Sequence, residues 1–187
     1  MPTSSRTPIV GICAYSGTGK TTLLRQMLPQ FRTRGLRVAV IKHAHHNFDT
    51  DIPGKDSYEL RKAGANQMLV ASRHRWALVT EIGDGTEPRL TELLDRLDHD
   101  NIDLILVEGF NSEPFPKIEL HRPSLGRELM CADDRSIVAI ATDALLPADP
   151  GIPVLDLNQS EQITEFIVRL WVLDQGTASA NTASPHG

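Results

Sequence analysis

Apolar residues in this chain fall into short continuous runs and helically spaced stripes, separated by polar stretches rich in glycine and proline. Residues 9–14 form a continuous apolar run of strand length, the pattern of a strand buried on both faces. Leu24, Met27, Leu28 and Phe31 then recur at helical spacing, and Gly35 supplies the stop. Pro29 falls inside that stripe. An internal proline removes a helix hydrogen bond at a cost of about 3 kcal/mol, so a kink is expected there. Residues 36–41 are a second strand, with Val38, Val40 and Ile41 apolar. Strand, helix and strand at this spacing make a βαβ unit, hence parallel pairing with a right-handed crossover.

Residues 42–57 are polar. Asp56 and Glu59 then stand as cap and third residue of a short helix ending near Gly64. Residues 67–71 and 76–80 are two β-type runs around Ser72-Arg73-His74-Arg75, which predicts a hairpin. Inserted between βαβ units, it is expected to give a mixed sheet edge, and exposed edges invite pairing, so it is the candidate dimer contact. Leu90, Leu93, Leu94 and Leu97 form another helical stripe. Strands are expected at 102–107, 118–120, 137–141 and 154–155. Asn158 with Glu161 caps a last helix whose stripe is Ile163, Phe166, Ile167, Leu170 and Trp171. The expected class is α/β, with a mostly parallel central sheet flanked by helices and an inserted β-hairpin. A flexible segment 1–7, one domain over 8–174 and a disordered tail over 175–187 complete the division.

Composition narrows the possible roles. Nineteen basic against twenty-four acidic side chains leave a net charge of −5, which argues against broad nucleic-acid binding, since that needs a basic face. Two cysteines, Cys13 and Cys131, make no disulfide framework or metal cluster and suit a reducing cytoplasm. No signal-peptide pattern and no run of eighteen apolar residues is present, so a cytoplasmic protein with no membrane partner is expected.

The chemistry concentrates where the first strand meets the first helix. Ser16-Gly17-Thr18-Gly19-Lys20-Thr21-Thr22 reads as a phosphate-binding loop in its required setting, strand before and helix after, so the expected α/β class is that of a P-loop NTPase fold. Glycines let the backbone curl so that successive N–H groups meet phosphate oxygens; Lys20 adds a charge, the helix N-terminus adds unpaired donors, and the Thr21 hydroxyl suits Mg²⁺. The full pattern begins with glycine, and here that position is Ala14, which requires a backbone conformation that a Cβ tolerates. Glu108 closes the strand at 102–107. Its carboxylate either holds a Mg²⁺-bound water or polarises an attacking one, or is simply solvated; with Lys20 it is the catalytic candidate. In the loop after the second strand, Lys42 can approach phosphates, and Asp49 and Asp51 can reach Mg²⁺ or its waters. His43, His45 and His46 form either a transition-metal site or part of a phosphate-sensing loop. Thr142 and Asp143, after the strand at 137–141, stand either as a base-reading pair, the aspartate accepting from guanine N1 and N2, or as the start of a turn.

The strings AYSGTGKTTLL (14–24), IKHAHHNFDTDIPGKDSYELRKAGA (41–65), VASRHRWAL (70–78), DLILVEGF (103–110) and IATD (140–143) resemble the molybdopterin-guanine dinucleotide biosynthesis protein B family, MobB, in register over about residues 8 to 172. That resemblance implies a P-loop GTPase-like fold, a homodimer, and GTP binding with Mg²⁺ and at most slow hydrolysis. It also implies service to molybdenum cofactor maturation beside MobA, the guanylyltransferase that attaches GMP to molybdopterin. On this chain it implies phosphate and Mg²⁺ binding by Gly17, Gly19, Lys20 and Thr21, with Glu108 as the acidic partner and Lys42 and Asp51 in the neighbouring loop. Two other classes fit the residues: a GTP-driven metal-delivery protein, motivated by the histidines, and a small-molecule kinase with Arg122, Arg127 and Arg135 as its lid.

Overall fold

The structure is a computed structural model and describes residues 7–44, 48–83, 85 and 87–180, with side chains as far as residue 170. Contacts divide the chain into two compact units, Met1–His43 with Leu94–Gly187, and Ala44–Leu93.

The first unit is built on six strands: β1 (Ile9–Cys13), β2 (Val38–Lys42), then, beyond the second unit, β5 (Leu104–Glu108), β6 (Lys117–His121), β7 (Ile137–Thr142) and β8 (Val154–Asp156). They lie in the order β2-β5-β1-β6-β7-β8, and every neighbouring pair is parallel. Because β1 has β5 on one side and β6 on the other, the order reverses at β1, and a crevice opens beyond its carboxyl end. Helices α1 (Lys20–Thr33) and α4 (Ser160–Ala180) pack on each other. Leu23, Leu24, Met27 and Phe31 of α1 and Ile163 and Ile167 of α4 share one core with alternate strand residues, among them Val10, Ile12, Leu104, Leu106, Ile118 and Leu120. The period-2 alternation of the strands puts these on one face of the sheet. α1 runs through Pro29 as one helix.

The opposite face of β6 is polar yet buried. The Lys117 ammonium bonds Asp134 Oδ2 at 2.9 Å and Ser136 Oγ at 2.6 Å. The Glu119 carboxylate accepts from the Met130 and Cys131 amides at 2.8 and 2.9 Å. Each buried charge therefore has its partners, as burial in a low dielectric demands. Gly11, next door on β1, has no room for a side chain: a Cβ would meet Phe115 at 2.7 Å and Lys117 at 2.8 Å.

The second unit holds α2 (Asp56–Lys62) and a hairpin, β3 (Gln67–Ala71) with β4 (Trp76–Thr80). The hairpin pairs antiparallel as a two-stranded sheet of its own. The expectation of a mixed sheet edge is thus corrected, and the six-stranded sheet is parallel throughout. Two caps also differ. Lys55, not Asp56, occupies the cap position of α2. Ahead of α4 the bonds centre on Asp156: its N donates to Gln162 Oε1 at 2.9 Å, and its Oδ1 accepts from Asn158 N at 2.8 Å. The leucine stripe after residue 89 yields only a short helix, α3 (Leu90–Leu94). Thr7 is buried, its hydroxyl 2.9 Å from His99 Nδ1, and α4 reaches Ala180, into the stretch read as a tail.

Candidate phosphate site

The loop between β1 and α1 curls through two glycines at positive φ, Gly17 at 84° and Gly19 at 106°. Such torsions are open to glycine and strained for other residues. Ala14, which stands where the pattern has glycine, is not among the positive-φ residues, so its Cβ is tolerated. Gly19 caps α1, whose first turn carries no acidic side chain, leaving the helix's first N–H groups available to an anion. Ser16, Gly17, Gly19, Lys20, Thr21, Thr22 and Glu108 line a cleft of about 330 Å³.

Not every residue of the motif faces that cleft. Thr18 is buried, and its hydroxyl donates to the Tyr15 carbonyl at 2.8 Å; it shapes the loop rather than lining the cleft. The Lys20 ammonium folds back onto the Ala14 carbonyl at 2.9 Å and the Tyr15 carbonyl at 3.4 Å. Thr21 and Glu108 are oxygen donors on the same cleft, the hard ligand chemistry that Mg²⁺ prefers.

Glu108 ends β5 directly opposite Lys42, the last residue of β2. The Lys42 Nζ lies 3.2 Å from each Glu108 carboxylate oxygen. Beyond Glu108 the chain turns through Gly109 (φ 99°) and Phe110 (φ 53°), the latter alone among described non-glycine residues at positive φ. The Phe110 ring stacks on His43 at 4.7 Å, and a Cβ at Gly109 would meet the His43 Cβ at 2.6 Å. The ends of β2 and β5 are therefore tied by an ion pair, a ring stack and a glycine contact. Strain of this kind persists only where the surroundings fix it, and it concentrates at functional sites.

On the far side of β6 from β1, Thr142 closes β7 and Asp143 follows it. The Thr142 hydroxyl is spent on the Ala144 carbonyl at 3.1 Å. Asp143 pairs with Arg122, whose Nε donates to the Thr18 carbonyl at 2.9 Å. The Arg127 guanidinium lies 5.5 Å over the Tyr15 ring. These two arginines, expected as part of a lid in the kinase reading, rest on the phosphate loop itself; their sequence signal is their place after β6, at the same end of the sheet.

Asp51 lies in the second unit. The buried Arg61 gathers three carboxylates there, Asp49 at 2.5 Å, Asp51 at 3.2 Å and Glu81 at 2.6 Å. Arg61 carries no motif, and spacing alone did not single it out. His45 and His46 lie outside the described residues. Among the described residues no group of three or more His, Cys, Asp or Glu forms a metal cluster. Among them also, no helix is long and apolar enough to cross a membrane.

Comparison with known proteins follows the same lines. The family model described as "Molybdopterin guanine dinucleotide synthesis protein B" (MobB) matches residues 9–143. The chain is 47% identical over 169 residues to the "Molybdopterin-guanine dinucleotide biosynthesis adapter protein" of Escherichia coli K12, covering 90% of this chain and 95% of that one. It is 42% identical to the Haemophilus influenzae protein of the same description, over 88% of this chain and 89% of that one. A crystal structure of "molybdopterin-guanine biosynthesis protein B (mobB)" superposes with a TM-score of 0.69 at 27% identity, over 87% of this chain and 98% of the other.

Proposed function

The chain belongs to the MobB family, and from that premise we propose that it is an adapter of molybdopterin-guanine dinucleotide biosynthesis that works by binding GTP with Mg²⁺. The observation that carries the nucleotide reading is the cleft in which the glycine loop, Lys20, Thr21 and Glu108 converge. A volume of about 330 Å³ suits a phosphate chain, at the lower end of small-molecule sites. In this reading the α1 N-terminus and loop amides hold the phosphates, and Lys20 leaves the Ala14 and Tyr15 carbonyls for their oxygens. Thr21 and Glu108 hold Mg²⁺, which supplies charge neutralisation between the phosphates. Glu108 must give up Lys42 to do so, and Lys42 is then free to approach the terminal phosphate. Asp51 stays with Arg61 and orders the loop after β2. Asp143 reads the base as guanine, accepting from N1 and N2. Hydrolysis is slow, because among the described residues Glu108 is the one carboxylate lining the cleft, and in this reading it is committed to the metal.

The partners in this reading are a guanylyltransferase of the MobA type and molybdopterin, in the cytoplasm. The protein acts as a homodimer through its hairpin, where Leu69, Val70, Trp76 and Leu78 are exposed; apolar clusters of this kind mark interaction surfaces.

Calorimetric titration with GTP and then ATP, each with Mg²⁺, tests the nucleotide assignment. GTP preference is expected; equal affinity or ATP preference returns the kinase alternative. Adding the protein to guanylyltransferase, molybdopterin and GTP should raise the yield of dinucleotide, and an unchanged yield rejects the adapter role.

A further inference from the structure

Arg122 occupies a position that the phosphate-binding reading does not use. It follows β6, the strand beside β1, and its neighbour His121 pairs in register with Thr142. That register brings residue 122 beside residue 143. The guanidinium is used on two sides: Nε donates to the carbonyl of Thr18, inside the phosphate loop, and Nη1 pairs with the Asp143 carboxylate. Its third nitrogen lies 3.7 Å from where a Cβ on Gly19 would stand, against the residue that caps α1. Two-thirds of the side chain is shielded from solvent. The planar fork of arginine can serve both partners at once, whereas a lysine ammonium of the same reach acts as a single point.

We propose that Arg122 is a positioning residue for base recognition: it joins the phosphate loop at Thr18 to the Asp143 carboxylate, and so sets how strongly the site prefers guanine without touching the base. This rests on the reading of Asp143 as the base acceptor. With Arg122 in place, one oxygen of Asp143 is anchored to the loop that holds the phosphates, which fixes the distance between the phosphate and base ends of the site. Without it, Asp143 keeps its charge but loses its fixed position, and orientation is what a hydrogen-bonded base contact requires.

The test compares wild-type protein, Arg122→Gln, Arg122→Lys, Asp143→Asn and the Arg122→Gln/Asp143→Asn pair, using calorimetry with GTP, ATP and inorganic tripolyphosphate, each with Mg²⁺. Tripolyphosphate carries no base and reports the loop alone. The expected result is a GTP-over-ATP ratio reduced about tenfold in both Arg122 variants, the size of one hydrogen bond to a charged group, with tripolyphosphate affinity changed less than threefold. The double variant should show the same ratio as Asp143→Asn alone, the mark of residues acting through one another. If GTP, ATP and tripolyphosphate weaken together, Arg122 only props the loop and the proposal is overturned. An unchanged ratio in Arg122→Lys overturns it as well, since charge alone then suffices. A wild-type protein without GTP preference removes Asp143 as base reader, and the proposal with it. Unfolding midpoints of all variants identify any that fail to fold, and the lysine variant carries the comparison should the glutamine one do so.

Discussion

Lys42 and Glu108 close the ends of adjacent parallel strands with a two-pronged ion pair, the ammonium equidistant at 3.2 Å from both carboxylate oxygens. The pair occupies the carboxylate that the nucleotide reading assigns to Mg²⁺, and in that reading releasing it is part of nucleotide binding. Glu108→Gln should leave GTP affinity within about threefold while single-turnover hydrolysis falls on the order of a hundredfold, the lower range for a positioned acid–base group. An unaltered hydrolysis rate rejects the role of Glu108.

Lys20→Ala tests the phosphate assignment. Its ammonium bonds only loop carbonyls, so the fold should persist with an unchanged unfolding midpoint. GTP affinity should drop about a hundredfold, as expected for charge-assisted bonds to phosphate. Unchanged affinity in a titration would remove Lys20 from the site.

Gly109→Ala places a methyl group against His43 in a backbone conformation that favours glycine. The strain should destabilise the protein by about 1–3 kcal/mol, read from denaturant midpoints. A loss of Mg²⁺-dependent hydrolysis is expected with it, because the turn aims Glu108.

Acid stability should depend on Asp103. Hydrogen bonds from the Arg37 side chain and backbone hold its carboxyl at about 2, below the ordinary 3.8. A carboxyl depressed in the folded state stabilises above the unfolded value, and the gain disappears as pH falls through the folded one. Asp103→Asn should therefore be less stable than the wild type at pH 7, with the difference fading between about pH 4 and pH 2. A difference that survives at pH 2 points to packing instead.

Thiol reactivity supplies an independent check on the sheet. Burial first, and the nearby Glu119 carboxylate second, push the Cys13 thiol up to about 12. Cys13 should resist alkylation at pH 8 until the protein unfolds, since the thiolate is the reactive form. Rapid labelling of Cys13 in the folded protein, followed by mass spectrometry, would contradict a buried β1.

The parts legible from sequence share a physical cause. β5 and β1 are nearly all apolar because both faces of a central parallel strand are covered, so period and content agree. The hairpin strands fall at 67–71 and 76–80 as expected. The phosphate loop is readable because few residue types can curl around an anion. β6 is longer than the expected 118–120, since Lys117 and His121 look like solvent-facing positions, whereas both are buried, as is Glu119 between them. Their partners, Asp134, Ser136 and the 130–131 amides, stand at separations that no local period reveals. Arg61 escaped for the same reason, and Arg122, expected only as part of a lid, takes its place from Thr18 and Asp143, residues brought near only by the fold.

The buried Lys117, held by the partly exposed Asp134, has a consequence for how such a sequence can drift. On the face of the sheet packed by α1 and α4, one hydrocarbon can replace another of similar volume at modest cost. At position 134 no replacement that removes the carboxylate is mild, because it strands the Lys117 ammonium in the interior. Asp134 must stay for as long as Lys117 does, and Gly11, already against the Lys117 stem, limits the size of any successor to the lysine. Descendants of this chain should therefore vary freely on one side of the sheet and only by size-matched steps on the other.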